Sequence, residues 1–334
     1  MAHDNEQGSG KKNEPGADHE YAFGTRAIHA GAIPDPVTGA RATPIHQTTS
    51  FVFDSAEHAA SLFNLQTFGN VYSRISNPTV AVLEERVASL EGGRAALACA
   101  TGMAAQMTAI LAILKTGDHI VAASTLYGGT VGQLGIGFGR LGIETTFVNP
   151  EDPENFLRAI RPNTRAVYGE TLGNPLVNVL DIEAVANIAH AHGLPLIIDN
   201  TVASPYLCNP FAFGADIVVH SATKYLGGHG TTMAGVVVES GKFDWGSGLA
   251  AKNFPEMLEP SKAYHGVKFY ETFGDFGYTM KARMEVNRTF GGALRQCACM
   301  RRCRVSMPCR ISQALSGDSA PPKVRFTSMR AFMV

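Results

Sequence analysis

The sequence predicts an α/β protein built on a mostly parallel sheet flanked by helices, and two observations carry that reading. Short, almost wholly apolar runs recur through the middle of the chain: ALACA (96–100), HIVAAS (119–124), RAVYGE (165–170), LPLIID (194–199) and DIVVH (216–220). Between such runs lie stretches with helical spacing, clearest at Met103–Leu114, Pro153–Ile160 and Ile182–His192. Strands buried on both faces read as unbroken apolar segments, and helices between them make βαβ units.

Taken in order, residues 1–20 are polar, charged and without an apolar core, which predicts disorder and neither a secretory signal nor a transit peptide. Residues 21–75 carry Pro34, Pro36, Pro44 and several glycines with little periodicity, and read as an extended N-terminal arm. Pro78–Glu91 follows as an amphipathic helix, with Val80, Leu83, Val87 and Leu90 on one face, Pro78 in its first turn and Asn77 as its cap. The large domain spans 76–270 and takes in one further strand, GVVVES (235–240); residues 271–294 begin a second domain, and 295–334 form an atypical tail. No internal repeat is present.

Composition is that of a globular enzyme: 45 % apolar, 17 % charged, net charge −1. That balance gives no pull toward nucleic acid or an anionic membrane, and no run of 18 apolar residues exists. The charge is unevenly spread. From Arg295 onward eight basic side chains face the single acid Asp318, while residues 1–294 hold 20 basic and 28 acidic ones. Four of the six cysteines also fall in the tail, at 297, 299, 303 and 309. The other two, Cys99 and Cys208, lie far apart, which predicts a reduced, cytoplasmic setting.

In sheets of this kind ligands bind beyond the carboxyl ends of the strands. The polar residues that close each strand are therefore the candidates. In CATGMAAQ (99–106) a strand ends on Thr101-Gly102 and a helix starts at Met103; unpaired N–H groups of a first helical turn suit a phosphate, though a tight turn alone also explains the glycine. In LPLIIDN (194–200) Asp199 closes an apolar strand, where a carboxylate needs a cation or several donors; a protonated heteroaromatic nitrogen would serve, and so would a helix-cap role. In SATKYLGGHG (221–230) Ser221 and Thr223 offer hydroxyls beside Lys224, and Gly227, Gly228 and Gly230 let backbone approach a ligand. A lysine in a partly dry pocket is a Schiff-base former, whereas most lysines merely face water. One cofactor needs a lysine, an acid, a phosphate cradle and an aromatic face together: pyridoxal 5′-phosphate, with Tyr127 in TLYGGT as the face.

These motifs resemble the Cys/Met-metabolism family of pyridoxal-phosphate enzymes, of fold type I, from about Phe23 to Leu294. The likeness is carried by YSRISNPT (72–79), LEGG (90–93), TGMAA (101–105), LYGGT (126–130), ETLGNP (170–175), DNT (199–201) and SATKYLGGHG. The resemblance implies that Lys224 is the Schiff-base lysine and Asp199 the partner of the ring nitrogen. It implies that Gly102, Met103, Ser221 and Thr223 bind the phosphate, that Tyr127 stacks on the ring, and that Glu170 and Asn174 stand near the cofactor oxygens. Tyr72 and Arg74 resemble the pair that reaches the neighbouring subunit's phosphate, implying a homodimer or a homotetramer; an arginine suits that bidentate contact. The segment 241–266 looks like an insertion of the O-acetylhomoserine sulfhydrylase branch. That branch replaces acetate on an amino-acid substrate with sulfide or methanethiol, and Lys224, Tyr127 and Tyr72 would be its proton-handling residues. A γ-lyase of the same family and a cofactor-binding fragment without turnover remain alternatives, because no tail arginine matches the family's substrate-carboxylate motif. A nicotinamide oxidoreductase is disfavoured, since no G-x-G-x-x-G opens a helix after the first strand. For the tail itself, zinc binding, a basic nucleic-acid arm and a reading-frame shift are the open readings; the abrupt change in composition favours the last.

Overall fold

The computed structural model describes residues 21–296. The predicted disorder at 1–20 and the tail cysteines 297, 299, 303 and 309 lie outside the described residues.

Seven strands form one sheet: β1 (Ala95–Cys99), β2 (His119–Ala123), β3 (Glu144–Val148), β4 (Thr164–Glu170), β5 (Leu196–Asp199), β6 (Ile217–His220) and β7 (Gly235–Glu239). Their spatial order is β1-β7-β6-β5-β4-β2-β3. Only β7 runs against its neighbours; β2 to β6 pair in parallel. Because β7 is reversed between β1 and β6, the carboxyl ends of six strands and the amino end of β7 share one edge. The central strands are buried residue after residue, as unbroken apolar runs require. β3 escaped the sequence reading. It is an edge strand whose ETTFV run is only partly buried, so it lacks the apolar signature of its neighbours.

Helices begin where a side chain can satisfy their first N–H groups. Asn77 accepts from Thr79 N–H at the start of Pro78–Glu91, and Thr101 accepts from Ala104 N–H at the start of Gly102–Leu111. The second of these begins one residue earlier and ends three earlier than periodicity indicates. The arm is not wholly extended either: it contains helices Phe23–His29 and Ala56–Phe63. Both are short, and the first rests on contacts that periodicity cannot show. Arg26 donates to the carbonyl of Ser89, and Arg86 Nε donates to that of Ala30 at 2.9 Å.

Segment 241–266 packs at the opposite edge of the sheet from the strand ends discussed above. Trp245, Phe254 and Met257 are buried, and Asn253 Nδ2 donates to His192 O at 3.0 Å and Gly193 O at 3.1 Å, just before β5. Residues 277–294 also lie against the body. Tyr278 donates to Ala109 O at 2.9 Å, and Ala293 bridges to Cys99. Among the described residues no helix is long and apolar enough to cross a membrane.

Glu239, at the far end of β7, is buried and accepts Thr279 N–H at 2.8 Å. Burial pushes its carboxyl up to about 7. Between the ordinary carboxylate range and pH 7 the folded chain therefore holds a proton that the unfolded chain has released, so stability falls as pH rises through that window. Glu239→Gln keeps an acceptor for Thr279 and removes the ionisation. It is expected to flatten the loss of stability between pH 5 and 8, by on the order of 1–3 kcal/mol at the upper end. Thermal melts at the two pH values check this; equal slopes in both proteins refute it.

Candidate active site

The site grows from the ends of β1, β4, β5 and β6. β1 delivers the chain to Thr101, whose side chain caps the Gly102–Leu111 helix. The amides of Gly102 and Met103 have no partner among the described residues, as first-turn amides do unless a cap or ligand takes them. A Cβ on Gly102 would stand 2.6 Å from Ser221 Cβ and 3.0 Å from Ser221 Oγ. Only glycine lets this helix start close over the loop after β6, and the Ser221 hydroxyl in that notch has no partner among the described residues. Free amides, a free hydroxyl and the positive end of a helix are the donor set for a phosphate. Thr223 is placed beside it with its hydroxyl shared with Ala234, accepting the N–H at 3.2 Å.

β5 and β6 are adjacent and parallel, with Asp199 opposite Val219. Asp199 and the loop Ser221–Lys224 therefore leave the same edge side by side. Thr201 joins them: its N–H donates to Asp199 Oδ1 at 2.9 Å, and its hydroxyl accepts Ser221 N–H at 2.7 Å. No cation makes an ion pair with Asp199 among the described residues. Burial holds its carboxyl above the usual range, against the Thr201 hydrogen bonds and the field of His220. Glu170 is one strand over, opposite Asp199. It is pushed up by its own burial and by Asp199, and it accepts Tyr127 N–H at 2.7 Å. A cation brought beside these two acids would relieve both.

Tyr127 is thereby fixed through its backbone while its ring stands 54 % exposed, free to cover a ligand. Asn174 reaches the same edge by donating its N–H to Thr125 O at 3.3 Å. Lys224 is exposed, not enclosed in the partly dry pocket the sequence suggested. Its amine makes no ion pair among the described residues.

The structure thus brings Gly102, Met103, Tyr127, Glu170, Asn174, Asp199, Ser221, Thr223 and Lys224 to one edge. Tyr72 and Arg74 stand apart. Both are exposed, the guanidinium lies 5.5 Å from the Tyr72 ring centroid, and Arg74 Nη1 donates to Arg288 O at 2.6 Å. Thr201, Glu91 and His220 went unremarked as site-builders in the sequence. LEGG and DNT were visible as motifs, but only coordinates show which strand ends their side chains join.

One small molecule answers both halves of this edge, a phosphate at the helix start and a cationic ring nitrogen at Asp199. The residues present therefore fit pyridoxal phosphate, and the class is that of pyridoxal-phosphate-dependent enzymes on an open α/β sheet. Residues 24–285 match the family described as Cys/Met metabolism PLP-dependent enzyme, and the chain belongs to it. It is 52 % identical over 278 residues to the O-acetyl-L-homoserine sulfhydrylase of Leptospira meyeri, covering 81 % of this chain and 62 % of that protein. It is 49 % identical over 271 residues to the homocysteine synthase of Schizosaccharomyces pombe, with 81 % and 63 % covered. A Campylobacter jejuni crystal structure described as an O-acetylhomoserine (thiol)-lyase, containing N′-pyridoxyl-lysine-5′-monophosphate, superposes with a TM-score of 0.82. That chain is 32 % identical, with 85 % of this chain and 67 % of that one covered. The chain thus spans about three fifths of the length of the curated relatives it matches.

Proposed function

We propose that the protein catalyses γ-replacement on O-acetylhomoserine, exchanging acetate for sulfide or methanethiol to give homocysteine or methionine. The observation that carries this is a half-buried carboxylate that makes no ion pair among the described residues, Asp199, set beside the Ser221–Lys224 loop at the edge where the phosphate cradle opens. The named activities of the relatives support the choice of substrate.

In this reading the Gly102 and Met103 amides and the Ser221 and Thr223 hydroxyls hold the phosphate. Asp199 holds the ring nitrogen, Tyr127 covers the ring, and Glu170 and Asn174 orient its surroundings. Bound there, pyridoxal phosphate supplies an electron sink for a substrate carbanion. Lys224 would hold the cofactor through its amine and would also move protons at Cα and Cβ of the substrate. Tyr127, held by Glu170 through its backbone, donates a proton as acetate departs from Cγ, and the incoming thiolate then adds at that carbon. Tyr72 and Arg74, both exposed, serve the phosphate of a second copy, so the working form is a homodimer or homotetramer. A cytoplasmic location suits free cysteines at 99 and 208.

Span favours a second reading. The chain covers 62 % of the sulfhydrylase it matches, and the alternative is that it binds cofactor without turnover. Acetate release from O-acetylhomoserine plus sulfide separates the two: release coupled to homocysteine supports the transferase, and cofactor binding without release supports the fragment. Release of α-ketobutyrate from methionine would instead mark a γ-lyase. With cofactor bound, Asp199→Asn is expected to weaken pyridoxal-phosphate affinity at least tenfold, about 1.4 kcal/mol, measured by equilibrium titration. Unchanged affinity would remove Asp199 from the ring nitrogen.

A further inference from the structure

A buried glutamine behind the phosphate cradle takes no part in the proposed reaction. Gln106 lies one turn into the Gly102–Leu111 helix and is buried together with Thr130 and Tyr168. Its Oε1 accepts from the Thr130 hydroxyl at 3.0 Å and from the Tyr168 hydroxyl at 3.0 Å. Tyr168 belongs to β4, two residues before Glu170. Thr130 belongs to the short helix Gly128–Gly132, which Tyr127 opens and which runs on into the turn Gln133–Gly137. A second tether joins the same two elements. Gln133 Nε2 donates to the carbonyl of Met103 at 3.2 Å, and the N–H of Met103 is one of the two unpartnered cradle amides.

These tethers connect the residue that covers the ring to the residues that hold the phosphate. Tyr127 is fixed at its N–H by Glu170 Oε1 at 2.7 Å, and its carbonyl accepts Val131 N–H at 3.0 Å. Its backbone therefore follows the helix it opens. That helix cannot hold its own position: three of its five residues are glycine, and Thr130 is the one residue of the five that is buried. Filling space does not explain an amide at position 106. Gln106 Nε2 and Gln133 Oε1 have no partner among the described residues, and each such atom costs free energy. A leucine or methionine would occupy the position without an orphaned donor. What only the glutamine does is bring hydroxyls from two different elements onto one oxygen.

We propose that Gln106 is a positioning residue. By accepting the Thr130 hydroxyl it sets the helix that Tyr127 opens against the helix that carries the Gly102 and Met103 amides, and so fixes the reach of the Tyr127 ring to the cofactor. The inference rests on the reading of Tyr127 given above.

The test uses the full chain and pyridoxal phosphate as the probe. Thr130→Val keeps the shape of the side chain and removes the donor; Gln106→Leu removes the acceptor. Each is expected to raise the cofactor dissociation constant about fivefold, the worth of one such hydrogen bond, and the two together no more than either alone. Thr130→Ser, which retains the hydroxyl, should stay within about twofold of wild type. In a Tyr127→Ala background Thr130→Val should alter affinity less than about twofold, since no ring remains to place. Unchanged affinity in Thr130→Val, an equal loss in Thr130→Ser, or an equal loss with and without the ring overturns the proposal; the last is what a merely structural role predicts. If Gln106→Leu does not fold, the Thr130 variants decide alone. A second measurement needs no cofactor. Amide hydrogen exchange over residues 128–137 should quicken about tenfold in Thr130→Val while the central strands keep their rates; unchanged exchange there overturns the tether. If wild type fails to bind pyridoxal phosphate, the cofactor reading falls, and the exchange rates still decide the tether.

Discussion

Lys224→Ala is expected to abolish covalent capture of pyridoxal phosphate and the visible absorbance that accompanies it, while leaving the fold intact. The two halves of that expectation have separate grounds. Lys224 is exposed and its amine makes no ion pair among the described residues, so its removal should change stability by no more than about 0.5 kcal/mol. The chemistry has no substitute at hand. Ser221 and Thr223 cannot form the linkage to an aldehyde, and they cannot shuttle protons as an amine does. If the transferase reading holds, turnover should drop roughly 10²–10⁴-fold, the usual contribution of a positioned proton carrier. Added small primary amines should restore part of the loss. Absorbance spectra, thermal melts and acetate assays of the two proteins decide the matter. Retained visible absorbance in Lys224→Ala would move the covalent site elsewhere and undo the assignment.

Gly235→Ala should produce the opposite pattern, a large loss of stability together with a damaged cradle. Gly235 begins β7 and pairs with Cys99, the last residue of β1. A Cβ there would lie 2.1 Å from the carbonyl oxygen of Thr101, 2.6 Å from its carbonyl carbon and 2.8 Å from Ala105 Cβ. Two of these are backbone atoms, which cannot swing away as a side-chain tip can. The strain falls on Thr101, whose side chain caps the helix carrying the Gly102 and Met103 amides. Overpacking of this kind costs roughly 1–3 kcal/mol, and the displaced helix start should weaken pyridoxal-phosphate binding about tenfold or more. Gly132→Ala is the control: no atom lies within 4 Å of the added carbon, and a helical glycine replaced by alanine should gain roughly 0.5–1 kcal/mol. Denaturant unfolding and cofactor titration of both variants test the claim. Equal stability in Gly235→Ala and wild type would show that the strand and helix can separate freely.

Much of the architecture is legible in the order of residues because burial imposes a pattern. Strands covered on both faces must be apolar throughout, which marked β1, β2, β4, β5, β6 and β7 in the sequence. A helix that starts under a cap and lies against a sheet must show it in spacing, as Asn77 and Pro78–Glu91 do. The candidate residues were legible for a related reason. A glycine, a lysine or an aspartate at the end of an apolar run is costly unless something there requires it, so the costs point to the site.

Other features escape any one-dimensional reading, since they depend on neighbours distant in the chain. β3 looks polar because an edge strand is covered on one side only, and the first arm helix, Phe23–His29, is held by contacts with residues some sixty positions away. The reversal of β7, which brings Gly235 onto Thr101, has no signature in GVVVES. Nor could spacing tell that Glu91, Asn200 and His220 meet beneath Asp199, because they are more than a hundred residues apart from first to last. Local preferences select each element, and long-range packing alone selects which ends come together. The charge balance of a site is set by those meetings, so its chemistry waits on the folded chain.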